Sequence, residues 1–244
     1  MAQDNIFNKK RPVQPFEFNR QVVDVFDDMI TRSVPLYREI IGRQARLAAR
    51  FYQSGSCIYD LGCSNGNLGM ALCREMGERP FEMIAVDTSA PMLEDFAARL
   101  QLLEQGSQIR LWQEDICRTP LENASVVIVN LTLQFLPVDE RDELLRRIFR
   151  ALLPGGVLLL TEKIVHDDPV FNALQQETYY AFKAENGYSQ LEISQKRDAL
   201  ENVLIPETLE RHCRRLTEAG FVAVDTWLKW FNFAALIARR REEG

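Results

Sequence analysis

Apolar residues recur at helical spacing near the start of the chain. Val22, Val23, Val25, Phe26, Met29 and Ile30 form one face of a helix over residues 18–30. Ser33 stands as an N-cap before Pro35, and Leu36, Ile40, Ile41, Ala45, Leu47 and Ala48 carry a second helix to about Tyr52. At Cys57 the pattern changes. Cys57-Ile58-Tyr59-Asp60-Leu61 is a short apolar run that breaks into Gly62-Cys63-Ser64-Asn65-Gly66, so a buried strand stops there and a helix over 68–76 begins. Further short runs follow at 81–86, 108–113, 125–130 and 157–161, with helical patterns at 92–103 and 140–152 between them. Pro154-Gly155-Gly156 stops the last of these helices.

Strand and helix therefore alternate from 57 to 161 with short connections, the pattern of an α/β protein whose parallel sheet is covered on both faces. Residues 167–204 break the alternation with helical segments rich in Tyr179, Tyr180, Phe182 and Tyr188, and read as an insertion that covers a site or packs on a partner chain. A last helix over 207–219 ends at Gly220. Residues 222–228 and 231–238 are neighbouring strands with a tight connection, so at least one pair at the sheet edge is antiparallel. Residues 1–16, polar with Pro12 and Pro15, read as a flexible arm ahead of a single domain, 17–244.

Composition narrows the chemistry. With 244 residues, 46% of them hydrophobic, the chain can bury a sizeable core. A formal net charge of -6 argues against a surface that grips nucleic acid through its phosphates, so direct tRNA binding is not expected. Lys9, Lys10 and Arg11 have no apolar run behind them, so the start reads as neither a signal peptide nor a membrane span, and a cytoplasmic location is expected. The five cysteines lack the paired spacing of a zinc site, and His166 and His212 are too few for a multi-histidine metal centre or a histidine triad, so no metal is expected.

Candidate binding residues sit at strand ends. Gly62 and Gly66 let the backbone turn tightly and approach a ligand at a helix N-terminus. Asp87, at the tip of the second strand, suits ribose hydroxyls, or it caps the helix that starts near Ser89. Asp115 is an acceptor for an adenine amino group, with Ile116 packed on the ring, or a solvated loop acid. Asn130 closes the fourth strand. Tyr37 is a core residue with a satisfied hydroxyl, or part of a lid over the glycine turn. Ligands of such sheets bind outside the carboxyl ends of the strands, where Gly62, Asp87, Asp115 and Asn130 all fall.

These motifs resemble the class I S-adenosyl-L-methionine-dependent methyltransferase fold, in Asp60-Leu61-Gly62 followed by Gly66, in the Asp87 acid and in the late strand hairpin. The resemblance implies a Rossmann-like, mostly parallel seven-stranded sheet with an antiparallel C-terminal strand, N-terminal helices and the helical insertion. More narrowly, the chain resembles the carboxy-S-adenosyl-L-methionine synthase family. That likeness rests on Arg32-Ser33-Val34-Pro35 with Tyr37, Asp60 to Ser64, Asn130 to Leu136, Asn186-Gly187-Tyr188-Ser189, Leu191 to Arg197, Leu200 to Val203, and Trp230 to Phe233.

The resemblance implies an enzyme that combines S-adenosyl-L-methionine with prephenate to give phenylpyruvate and carboxy-S-adenosyl-L-methionine, the latter being the donor for a tRNA wobble-uridine modification. Carried over by position, Tyr37, Gly62, Cys63, Ser64, Asp87, Thr88, Asp115, Ile116 and Asn130 would contact the nucleoside, with Thr88 where the family often has asparagine. Arg197 would bind the added carboxylate, reaching in from the other subunit of a homodimer. The bidentate geometry of a guanidinium suits that role, although Arg197 on its own reads as half of a surface Lys-Arg pair. As the resemblance has it, prephenate loses carbon dioxide and hydroxide as it aromatises, and the deprotonated sulfonium methyl captures the carbon dioxide, a scheme without a histidine base. Two rivals use the same cradle: a methyltransferase of a small molecule or tRNA, and a cofactor-binding scaffold without turnover.

Overall fold

The computed structural model describes residues 3–10, 12, 15–103, 106 and 108–242. Short helices α1 (Arg20–Val23) and α2 (Phe26–Ser33) and the longer α3 (Tyr37–Phe51) precede β1 (Cys57–Leu61). The chain then runs through α4 (Asn67–Met76), β2 (Met83–Asp87), α5 (Ala90–Leu100), β3 (Ile109–Gln113), β4 (Ala124–Asn130), α6 (Val138–Ala151) and β5 (Leu152–Val165). It continues with α7 (Pro169–Glu185), α8 (Gln190–Leu200), the two-residue β6 (Glu207–Thr208), α9 (Leu209–Ala219), β7 (Ala223–Trp230) and β8 (Phe233–Arg239). Among the described residues the main sheet path is β3-β2-β1-β4-β5-β8-β7, with β6 paired to β5 off that path. Pairing is parallel from β3 across to β5, whereas β8 runs antiparallel to both β5 and β7. This is the class I methyltransferase arrangement, and the order of strands reverses between β1 and β4.

The central strands are buried along nearly their whole length because each face meets its own core. Ile58, Ala85, Val126 and Leu159 pack with α3, α4 and α5 on one side. Their strand neighbours Tyr59, Ile84, Val127 and Leu158 pack with Leu144, Leu145 and Ile148 of α6 and Leu216 of α9 on the other. Burying each valine, leucine or isoleucine among them contributes about 1.5–3 kcal/mol, which fixes the register and hence the places where the strands end.

Several elements depart from the sequence expectation. The helix expected over 18–30 is two helices: Asn19 caps α1, and Val25, at φ -121° and ψ 7°, interrupts the spiral before α2. Ser33 does not cap the next helix but ends α2; Pro35 blocks continuation, and α3 starts only after Leu36 has turned through φ 57°. Pro154-Gly155-Gly156 lies inside β5, where a register shift opposite Ala124 and Val126 absorbs it. Residues Glu207 and Thr208 pair with Ile164 and Val165 as β6 before α9 begins.

The stretch read as a flexible arm is docked over much of its described length. Asp4 is 1% exposed; its backbone N–H donates to Asp28 at 2.7 Å and its carboxylate accepts from the Tyr188 hydroxyl at 2.5 Å. Gln195 donates to the carbonyls of Phe7 and Lys9, and the Phe16 N–H donates to Ala199. Buried polar groups need partners, and Asp4 finds them on α2 and next to α8. Arg11, Val13 and Gln14 of that stretch lie outside the described residues. The insertion forms as expected, as α7 and α8. Among the described residues, no helix is long and apolar enough to cross a membrane.

Candidate functional site

At the carboxyl ends of β1, β2 and β4, where the strand order reverses, the chain encloses a cavity of about 410 Å³. Its floor is the turn after β1. Gly62 holds φ 85°, and a Cβ there would stand 2.2 Å from Thr132 Oγ1, so only glycine lets β1 and β4 end side by side. Gly66 makes the expected tight turn into α4 at φ 82°, and a second demand falls on it. Its missing side chain makes room for the ring of Phe96 on α5, 2.1 Å from where a Cβ would lie, and it does not line the cavity.

Glu162 holds the opposite side of that floor. Its buried carboxylate accepts the backbone N–H groups of Thr132, Leu133 and Gln134, which shapes the 3-10 turn Leu133–Phe135 and sets Thr132 against Gly62. Burial pushes its pKa up to about 8 against the pull of those donors.

Asp87 is fixed from two sides: Oδ2 accepts from the Ser64 N–H at 2.9 Å and Oδ1 from the Ser89 N–H at 2.9 Å. It therefore both braces the glycine turn and leads into α5, whose cap is Ser89 itself. Asp115 accepts from the Cys117 N–H at 2.9 Å, and Ile116 beside it is 5% exposed and forms an apolar wall. The Tyr37 hydroxyl accepts from Asn67 at 3.2 Å, and Asn67 is itself held by Asp27 and Arg99, so α2, α3 and α4 are tied together around the turn. Burial raises the Tyr37 pKa, which keeps it a neutral phenol.

Two polar atoms in the lining lack any partner among the described residues: Asp60 Oδ2 and Asn130 Oδ1. Burial first, and the neighbouring Asp87 charge second, push the Asp60 pKa up to about 7. A cationic ligand with donor groups satisfies all of these. An S-adenosyl-L-methionine molecule is such a ligand, with a sulfonium centre, an ammonium group and hydroxyls, so the residues fit it. Asp87, Asp115, Ile116 and Asn130 would hold its nucleoside, and Gly62 to Ser64 its amino-acid part. All the positions carried over by resemblance line this cavity except Arg197.

Comparison with known proteins agrees with the geometry. Residues 58–156 match the methyltransferase domain family. An O-methyltransferase family protein from Burkholderia thailandensis shares the fold, with a TM-score of 0.65 and 16% identity over 96% of this chain and 66% of that one. A carboxy-S-adenosyl-L-methionine synthase from Desulforapulum autotrophicum is 54% identical over 243 residues, covering 99% of this chain and 98% of the relative. Another from Shewanella amazonensis is 46% identical over 237 residues, 97% of this chain and 98% of its own. The chain belongs to the carboxy-S-adenosyl-L-methionine synthase family.

Arg197 is the position that does not fit a one-chain site. Its guanidinium pairs with Asp198 at 2.8 Å, and its side chain is 55% exposed. The reason is helical phase: on α8 the neighbouring Lys196 turns inward and lines the cavity, which leaves Arg197 facing out. In this member of the carboxy-S-adenosyl-L-methionine synthase family, Lys163 from β5, Lys196 from α8 and Tyr179 from α7 line the cavity as well, on elements other than the acid-bearing strands. Sequence reasoning missed Asp60 and the two lysines as lining groups. A charged Glu162-Lys163 ending an otherwise apolar strand was the available signal.

Proposed function

We propose that the chain is an enzyme that carboxylates S-adenosyl-L-methionine, taking the carboxyl group from prephenate and releasing phenylpyruvate. We further propose that it works in the cytoplasm and that its product is the donor for the 5-oxyacetyl modification of tRNA wobble uridine. The observation that carries the reading is the sign reversal within one cavity. Asp60, Asp87 and Asp115 line it from the ends of β1, β2 and β3, suited to a cationic nucleoside, and Lys163 and Lys196 line it from β5, beyond β4, and from α8, suited to an anion. Kinship along nearly the whole chain with proteins named carboxy-S-adenosyl-L-methionine synthase supports it.

In this reading the chain contributes position and dryness more than proton transfer. The apolar residues Phe18, Met29, Ile30, Leu200 and Leu204 line the remaining wall and exclude water, which strengthens each charge interaction inside and protects reactive species from hydrolysis. Because Arg197 faces outward, it serves the site only across a homodimer, where it would pair with the product carboxylate held by the partner subunit. Incubating purified protein with S-adenosyl-L-methionine and prephenate, then weighing the nucleoside, tests the reaction. A product heavier by one carboxyl group is expected, and an unchanged nucleoside sinks the reading. Arg197→Ala should lose retention of the carboxylated nucleoside and keep most binding of the unmodified one; equal loss of both removes the division of labour.

A further inference from the structure

A charge withdrawn from water is unfavourable unless it is paired, and among the described residues one group of buried and half-buried cations is largely unpaired. Lys163 leaves the carboxyl end of β5 and lines the cavity. Lys183, four residues beyond Tyr179 on α7, is only 4% exposed. Their ammonium groups lie 5.0 and 4.6 Å from the centroid of the Tyr179 ring, which itself lines the cavity. Among the described residues, neither ammonium has a hydrogen bond or a carboxylate partner; their neighbours are aromatic faces.

The charges that act on Lys183 share its own sign: Lys196, Lys163 and Arg197. Burial, reinforced by those charges, pulls its pKa down to about 7, and burial lowers that of Lys163 as well. Lys196 is better provided for. It donates to Ser33 Oγ at 2.8 Å and stands 3.7 Å from the Asp4 carboxylate, which also accepts from Tyr188. Among the described residues, Asp4 is the acid within ion-pair distance of a lysine of the cluster, Asp28 acts on Lys196 from farther away, and Glu162 is turned away into the 3-10 turn. The cluster thus carries more positive charge than the chain balances, next to a cavity that Asp60, Asp87 and Asp115 also line.

Resting on the reaction proposed above, we propose that Lys163 and Lys196, backed by Lys183 behind Tyr179, form the carboxylate-binding subsite for a dianionic second substrate. A dicarboxylate supplies what the cluster lacks, and the acids at the strand ends repel it from the nucleoside wall, so the field alone orders the two substrates. Lys163 touches the anion. Lys183 is a positioning residue that acts through space and through Tyr179. On this view the anion is recognised by groups of the same chain, independently of Arg197.

The test uses the full chain saturated with S-adenosyl-L-methionine, prephenate as the probe, and Lys163→Met and Lys183→Met as separate variants. Titration calorimetry reads prephenate binding, and mass-detected steady-state kinetics reads its KM. Methionine keeps the apolar stem, so packing survives. The expected result is roughly tenfold or greater weakening of prephenate Kd and KM in Lys163→Met, and a smaller weakening in Lys183→Met, with nucleoside affinity unchanged. Lys183→Met should also melt at a higher temperature than the parent, which a merely structural lysine would not do.

Wild-type protein that binds and converts prephenate while both variants retain its Kd and KM overturns the subsite and leaves the reaction standing. Loss of nucleoside affinity in step with prephenate affinity also overturns it. Lysine-dependent prephenate binding without conversion upholds the subsite and overturns the reaction. Absence of both binding and conversion in the wild-type protein overturns both.

Discussion

Two sets of buried cations in this chain are treated in opposite ways. Arg141 and Arg215 are 0% and 1% exposed, and each is met. Arg141 donates to Glu207 at 2.6 Å and to the carbonyls of Gln134, Leu136 and Ile205. Arg215 brackets Glu207 at 2.7 and 2.9 Å and pairs with Asp142. These bonds tie α6, β6 and α9 together on the face away from the glycine turn. Among the described residues, half-buried Lys163 and buried Lys183 have aromatic faces beside their ammonium groups and no carboxylate partner. The first set is complete without a ligand and so reads as architecture. The second is incomplete, and incompleteness beside a cavity is the mark of a group kept ready for a molecule the chain does not contain.

The contrast breaks most sharply at Glu207. Replacing it with alanine strands both arginines, and a loss of about 3–5 kcal/mol is expected in urea unfolding. Burial raises the Glu207 pKa, but the bonds from Arg215 and Arg141 outweigh it and hold the pKa at about 2. Its stabilising contribution is therefore complete above the ordinary glutamate pKa of about 4.3 and is lost as the pH falls toward 2. A parent and variant that converge in stability at low pH would confirm the sign; parallel curves would contradict it.

Lys183→Met should move stability the other way. With a folded pKa of about 7 and an ordinary value near 10.4, the unfolded state binds more protons between those limits, so wild-type stability should rise with pH across that window. The variant should lose that rise and gain stability at neutral pH. A destabilised Lys183→Met would show that the lysine is architectural after all.

Asp60 extends the comparison to an acid. With its pKa raised to about 7 and one oxygen unpartnered, it should favour a sulfonium ligand in its charged form, so nucleoside affinity should fall as the pH drops through 7. Asp60→Asn should weaken affinity roughly tenfold, about 1.4 kcal/mol, and flatten that dependence; a steep dependence that persists in the variant would assign it elsewhere. At the small end, Glu143 pairs with Arg146 and Arg150 on an exposed surface, and Glu143→Gln should leave the unfolding midpoint in place.

Much of this was legible in the residues. The apolar strands and the acids at their ends identified the sheet and part of the cavity lining, because strand burial and strand termini are local properties. Ser33 was not legible as a partner of Lys196, since that bond spans the chain between α2 and α8. The tight turn at Gly66 was legible, but the room it leaves for Phe96 on another helix was not. The inward turn of Lys196 and outward turn of Arg197 depend on the phase of α8, a helix whose amphipathic pattern is weak because it carries buried Glu192, Gln195 and Lys196. A resemblance can name a functional arginine; helical phase decides which chain's cavity it can serve.

The anchoring of Asp4 has a consequence for how the protein comes into being. On a ribosome Asp4 emerges long before Tyr188 and Lys196, the groups that hold its carboxylate. That wall of the cavity cannot close until the helical insertion has been synthesised, and this late, long-range closure is a slow kind of contact to make. The nascent chain can assemble its first strands early, but a finished pocket must wait for Lys196, Leu204 and Phe233, which line it from far along the chain.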